Sequence, residues 1–397
     1  MGSADTMDAV IFKAPWKMVT EKRPIPKIID PTDAIVKVSV AGICGSDLHF
    51  YRGHQKMQPD CICESSTIIR IRVEVAMKIV RGTSSTHPHV GHEFVGHVQE
   101  VGPSIKKFNV GQKIVCTFTI TCMECWFCRH GYTNRCVHGK SFGSLGFDGG
   151  QAEYVRVPFA DGTLQPAPTS VADELLIMMC DIFPTGYYGA ARAIQYFETQ
   201  TRELEGINAR ADGMFQVQPL QDCVFVCLGC GPVGLCSILT CLTKKVGTVF
   251  AVDAVDDRLA EAERWGAIPL KLGRDDVKAK VLEATNGRGA DAVIELVGNA
   301  GALKSAFEIV RPAGCLSSIG FHQGEVPFTA LEAYSKNLDI NMGRAPARRV
   351  FNDALDVLVA NADKVKEFVT HKLPVSEAAK GYEIFEKQQA RKVVLVF

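Results

Sequence analysis

From residue 222 onward, apolar runs of strand length alternate with amphipathic stretches. DCVFVCLG (222–229) is a continuous apolar run bounded by turn residues and reads as a strand buried on both faces. LCSILTCLTKK continues it with a helical pattern, and TVFAVD is a second buried strand ending in Asp253. DDRLAEAERWG (256–266) predicts a helix, IPLKL a strand and 275–285 a further helix. ADAVIELVG (290–298) is again a buried strand, GALKSAFEIVRP a helix closed by Pro312, and GCLSSIG a strand. Strands alternating with helices predict a doubly wound parallel sheet.

Two stretches stand apart. I-R-I-R-V-E-V, within QKMQPDCICESSTIIRIRVEVAMKIVRGTSS, alternates as a surface strand does. FETQTRELEGINARADGMFQVQ (197–218) has no convincing periodicity and predicts a structureless connection, which is unusual inside a compact domain. No stretch approaches the ~18 uninterrupted apolar residues of a membrane span. The N-terminal residues hold no long apolar segment of a secretory leader. The expectation is a soluble, cytoplasmic chain.

Composition adds little to that picture. The 397 residues suggest two domains or one large one. Forty-four basic and 44 acidic side chains leave no net charge, so neither nucleic acid nor an anionic membrane is indicated as a partner.

The cysteines change it more. In C-M-E-C-W-F-C-R-H-G-Y-T-N-R-C, Cys122, Cys125, Cys128 and Cys136 fall within fifteen residues. A reducing cytosol argues against disulfides. Four thiolates can surround one tetrahedral zinc at ~2.3 Å each, leaving no open position, which makes such a site structural. Cys223, Cys227, Cys236 and Cys241 lie in apolar runs and read as small core residues.

Weaker candidates are scattered. A-G-I-C-G-S-D-L-H contains Cys44, Ser46, Asp47 and His49; V-G-H-E-F-V-G-H-V contains His92 and Glu93; C-D-I-F-P-T-G-Y contains Cys180, Asp181 and Thr185. Together the three stretches could supply a sulfur, an imidazole and a carboxylate. Catalytic zinc sites use three such ligands and keep a fourth position for water or substrate.

G-C-G-P-V-G (Gly229, Gly231, Gly234) sits between a predicted strand and a predicted helix, and Asp253 follows nineteen residues after Gly234. In that setting the pattern is a dinucleotide fingerprint. The glycines allow a tight turn, close approach of a pyrophosphate and close helix–strand packing. Asp253 would accept from the ribose hydroxyls and repel a 2′-phosphate, favouring NAD over NADP, although Arg258 could reach the same edge.

In order along the chain, AGICGSDLHFYRG, GHEFVGHV, the four-cysteine loop, DIFPTGYYGA, GCGPVGL and the terminal ARKVVLVF resemble the zinc-dependent medium-chain alcohol dehydrogenases. The D-I-F-P-T-G form is similar to the branch that includes glutathione-independent formaldehyde dehydrogenases. The resemblance implies an α/β chain with a GroES-like β-barrel catalytic domain split around a Rossmann doubly wound parallel sheet. The domains would be 1–185, 186–345 and a return at 346–397. It implies Cys44, His92 and Asp181 as catalytic-zinc ligands, with Cys180 a one-residue alternative. Glu93 would sit behind the zinc, Asp47 would support the ligand histidine, and Ser46 and His49 would relay a proton. Thr185, Pro232, Val233 and Val297 join the glycines, Asp253 and Arg258 in binding the cofactor, and Lys392 would lie near the pyrophosphate. Two zinc ions and NAD are the implied cofactors, an alcohol or aldehyde the substrate, and a homodimer or homotetramer the assembly.

Two departures stand against that resemblance. Forty-seven residues separate Cys44 from His92, roughly twice the family's usual spacing, with the surplus near 55–86. A second surplus lies at 197–218. A carbonyl reductase with the same motifs, or a silent dinucleotide-binding protein, is the alternative reading.

Overall fold

A computed structural model of the chain describes residues 6–53, 90–144, 147–210, 213–322 and 324–397. The surplus near 55–86, with its alternating stretch and with Cys61 and Cys63, lies outside the described residues. Contacts divide the chain into two units, one running to Asp181 and resuming over Pro346–Phe397, the other Ile182–Ala345.

The first unit opens with strands β1 (Thr6–Ala14) and β2 (Lys17–Pro24), an antiparallel pair. β3 (Ala34–Ile43), β4 (Phe94–Val101), β5 (Lys113–Cys116), β6 (Tyr154–Val157) and β7 (Leu164–Pro166) follow. β3 carries the register: it pairs antiparallel with both β4 and β6. Phe94, Phe142, Phe147, Ile114 and Leu164 fill the interior of this sheet. A buried ion pair, Arg156 to Asp33 at 3.0 Å, ties β6 to the turn before β3.

The second unit is a six-stranded parallel sheet. β8 (Val224–Leu228), β9 (Thr248–Asp253), β10 (Ile268–Lys271), β11 (Ala290–Glu295), β12 (Val310–Ser318) and β13 (Asp339–Met342) lie in the order β10-β9-β8-β11-β12-β13. The predicted strand–helix alternation is present, with helices Pro232–Thr243, Asp256–Trp265, Val277–Ala284 and Ala300–Ile309 between strands. One detail differs: the last of these helices stops at Ile309, and β12 already runs through Pro312, because Val310 pairs with Ala290. The strand order reverses between β8 and β11, where ligands of such sheets bind.

The chain returns to the first unit with β14 (His371–Pro374) and β15 (Val393–Val396). β15 pairs antiparallel with β3 and completes a seven-stranded sheet.

The expectation of a structureless 197–218 is corrected. A single helix, Ile182–Asn208, spans 27 residues and absorbs the first half of that stretch. Its buried face runs Phe183, Tyr187, Ala190, Ala193, Ile194 and Phe197, and nothing beyond Phe197 is buried. The final turns therefore carry no apolar stripe to read. Good helix formers such as Arg202, Glu203 and Glu205 sustain them instead. Asn208 closes the end, donating to Phe215 O at 2.7 Å and accepting from Phe215 N at 3.0 Å.

Candidate metal centres and dinucleotide turn

Cys44 follows directly on β3, whose register holds it at the sheet's end. The Asp47 carboxylate accepts from Cys44 N at 2.9 Å and so shapes the turn that presents the sulfur. His92 and Glu93 immediately precede β4, and Asp181 precedes the helix at Ile182. Ligand atoms of Cys44, His92, Glu93 and Asp181 all lie within 4.8 Å of one another, although they come from three distant stretches. Asp181 Oδ2 is 3.3 Å from His92 Nε2 and 3.8 Å from Cys44 Sγ. Asp47 Oδ1 lies 3.2 Å from His92 Nδ1, which fixes the ring so that Nε2 faces the cluster. Ser46 Oγ stands 3.4 Å from that same Nε2. His49 is three positions further, in the short helix Asp47–Tyr51.

Cys180 and Asp181 diverge. The Cys180 thiol is fully buried and turned to Phe94 O at 3.2 Å, whereas the Asp181 carboxylate enters the cluster.

The electrostatics suit a divalent cation. Burial, then Glu93, pushes the Cys44 thiol up. Burial also raises Glu93, against the pull of Lys392. For His92 burial opposes the charged ring, but Asp47, Asp181 and Cys44 outweigh it and hold the imidazole well above its ordinary value. A thiol and a buried carboxyl crowded this way are costly to ionise alone, and a divalent cation reverses that balance. Glu93 Oε1 is buried without a hydrogen-bond partner, while its other oxygen meets Lys392 Nζ.

The Lys392 side chain is 1% exposed and paired with Glu93 inside the first unit. The pair explains Gly42: a Cβ there would stand 2.2 Å from Glu93 Oε2. Nothing local in the sequence marks the pair, since its members are 299 positions apart. Gln151 was likewise not legible. It is fully buried, donates to Gly42 O at 2.9 Å and accepts from Tyr382 Oη at 3.0 Å, bracing the turn below Cys44.

The sulfurs of Cys122, Cys125, Cys128 and Cys136 also gather within 4.8 Å. Ligands ~2.3 Å from a tetrahedral zinc stand roughly 3.8 Å apart, and the Cys122–Cys136 separation is 3.6 Å. Gly131 takes a left-handed φ of +80° that turns the chain toward the fourth sulfur. Backbone N–H groups of Glu124 and Cys125 donate to Cys122 Sγ at 3.4 and 3.3 Å. Hydrogen bonds from Cys128 and Cys136 chiefly, with these backbone groups adding less, hold the Cys122 thiol far below its usual range. Cys136 is pushed up to about 11, chiefly by Cys122. Four thiols that cannot all ionise alone fit one shared cation. None of the described cysteines is in a disulfide.

In the second unit β8 runs into Gly229 (φ +93°), then Gly231, which caps the helix starting at Pro232. A Cβ on Gly234 would lie 1.9 Å from Gly229 O, so the helix can approach only as glycine. A Cβ on Gly231 would meet nothing within 4 Å among the described residues, so the backbone there is open to close approach. Val233 follows in the same helix, and its carbonyl lies 2.4 Å from where a Cβ on Gly186 would stand. Thr185 adjoins that glycine near the start of the helix Ile182–Asn208. Asp253, at the end of β9, accepts from Cys230 N at 2.7 Å and Val255 N at 2.9 Å. Arg258 Nη1 is 3.5 Å from it, so the two residues share one edge. Val297 packs against Gly229, 2.8 Å from where a Cβ there would stand.

Two family models match the chain: the alcohol dehydrogenase GroES-like domain over residues 30–168, and the zinc-binding dehydrogenase over 232–360. The chain is 40% identical to zinc-type alcohol dehydrogenase B of Aspergillus flavus over 396 residues, 99% of this chain and 82% of that protein. It is 42% identical to the medium chain reductase/dehydrogenase UcsI of Acremonium sp over 334 residues, covering 84% and 99%. Among solved structures, alcohol dehydrogenase TADH from Thermus sp. ATN1 superposes with a TM-score of 0.81 at 31% identity, covering 98% and 99%.

Proposed function

Because the chain belongs to the zinc-type medium-chain alcohol dehydrogenase family, we propose that it oxidises an alcohol to an aldehyde or ketone with NAD, using two zinc ions per chain. The observation that carries this is the convergence of Cys44, His92 and Asp181 with Glu93 behind them. When bound there, zinc supplies Lewis acidity toward a substrate hydroxyl, and NAD takes the hydride.

The chain's own groups do the rest. Cys44 and Asp181 as anions balance the charge of a divalent ion, and His92 stays neutral with Nε2 directed inward by Asp47. Ser46, next to His92 Nε2, takes the substrate's hydroxyl proton and hands it outward toward His49. Lys392 neutralises Glu93, so that the buried acid adds little net charge behind the site. Gly229, Gly231, Pro232, Val233 and Gly234 hold the pyrophosphate; Thr185 and Val297 serve the nicotinamide end. Asp253 takes the adenosine ribose, and its charge supports NAD over NADP. Arg258, partly exposed beside it, sets how strong that preference is.

Carbonyl reduction is the reverse of the same chemistry, and a relative carrying "reductase" in its name supports testing it. The segment from Asp181 to Gly186 supports a place near the formaldehyde dehydrogenase branch. No described helix is long and apolar enough to cross a membrane. We take the protein as a cytoplasmic homodimer or homotetramer. The test is zinc content of the purified protein coupled to NAD and NADP reduction across primary and secondary alcohols, formaldehyde included. Two zinc ions with NAD-linked turnover support the proposal. Cofactor binding without turnover on any alcohol or carbonyl defeats it.

A further inference from the structure

The second unit holds a buried acid that the reaction above does not use. Glu295 ends β11 and is fully buried. Its Oε1 accepts from Val297 N at 2.8 Å and Gly298 N at 2.7 Å, both in the turn after β11. Its Oε2 accepts from Ser318 Oγ at 2.9 Å and lies 2.8 Å from His322 Nε2, both at or after the end of β12. A carboxylate has about four lone-pair sites, and here three donors and the His322 ring nitrogen meet them. The main-chain carbonyl of Glu295 also accepts from Ile319 N at 2.9 Å and Gly320 N at 3.2 Å. One residue thus ties two neighbouring turns together by side chain and backbone.

The turns interlock. A Cβ on Gly298 would stand 2.5 Å from Phe321 N, and one on Gly320 would stand 2.2 Å from Gly298 N. Two apolar side chains remain at the rim, Val297 at 49% and Phe321 at 60% exposed.

Their place follows from the sheet order. Asp253 ends β9, on one side of β8, and the glycine turn follows β8. A dinucleotide whose adenosine ribose meets Asp253 and whose pyrophosphate meets the glycines must run its other half over β11 and β12. Resting on the reading of this unit as the NAD site, we infer that Glu295 is a positioning residue for the nicotinamide half of the cofactor. With Ser318 and His322 it locks the β11 and β12 turns so that Val297 and Phe321 form one rigid edge.

Replacing the acid with an amide removes the charge and presents an N–H2 group either to the two backbone N–H donors or to Ser318 and His322, which must then turn to accept. Glu295→Gln therefore loosens the turns while keeping the shape of the core. The measurement is calorimetric binding of NADH and of ADP-ribose, which lacks nicotinamide, to the zinc-loaded wild type and variants. We expect Glu295→Gln to weaken NADH about tenfold and ADP-ribose less than about twofold. His322→Ala, at the partly exposed end of the cluster, should weaken NADH about threefold with the same selectivity, and it carries the test if Glu295→Gln does not fold. Equal weakening of both ligands, or of neither, overturns the positioning role while the cofactor reading stands. A wild type that binds neither ligand overturns both.

Discussion

The two candidate metal centres of this chain are built in opposite ways. The four-cysteine lobe takes every ligand from fifteen consecutive residues and offers only sulfur. The other centre mixes sulfur, imidazole and carboxylate, and Cys44 and Asp181 are 137 positions apart. The first needs little beyond local turns to exist. The second exists only after β3, β4 and the segment ending at Asp181 have come together. A closed sulfur site suits a stabilising role, and a mixed site with a free position suits chemistry. The orphaned Glu93 Oε1 and the adjacent Ser46 belong to the second kind alone.

That contrast can be broken in order of expected effect. Asp181→Ala should abolish alcohol oxidation, because the mixed centre then keeps only two of its three ligands; turnover above about a hundredth of wild type contradicts this. Cys125→Ser leaves the lobe with three thiolates. Losing several kcal/mol of metal-linked folding should lower the melting temperature by on the order of 10 °C. A variant that melts with the wild type and keeps full zinc would contradict a stabilising lobe. Asp47→Ala removes the brace on His92 and should weaken zinc at the mixed centre roughly 10- to 100-fold without touching the lobe, as read by competition with a chelator. Asp253→Ser lies in the other unit and should spare both metals. It should shift the ratio of kcat/KM for NAD over NADP by about tenfold toward NADP. An unchanged ratio means the acid does not face the ribose.

Legibility in the sequence followed the same divide. The lobe and the glycine turn could be read directly, because their residues are contiguous and their spacing has a local physical meaning. The parallel sheet was legible because its strands are buried on both faces and read as unbroken apolar runs. The mixed centre showed in the residues only as three weak, scattered candidates that the resemblance joined, and its third ligand stayed open between Cys180 and Asp181. Side-chain direction separates them in the structure, and direction is not a property of composition. The helix through residues 198–208 escaped notice because none of its side chains is fully buried and it carries no continuous apolar stripe. The Glu93–Lys392 pair and the Glu295 cluster escaped it because their partners are remote along the chain, 299 positions apart for the first and up to 27 for the second.

The central claim is that the chain holds one closed and one open zinc centre, with Asp181 completing the open one. Its most direct test is zinc per chain, by elemental analysis, in wild type, Asp181→Ala and Cys180→Ala purified in parallel. The account predicts about two, one and two, with the remaining ion of Asp181→Ala in the four-cysteine lobe. Two ions in Asp181→Ala and one in Cys180→Ala would contradict it.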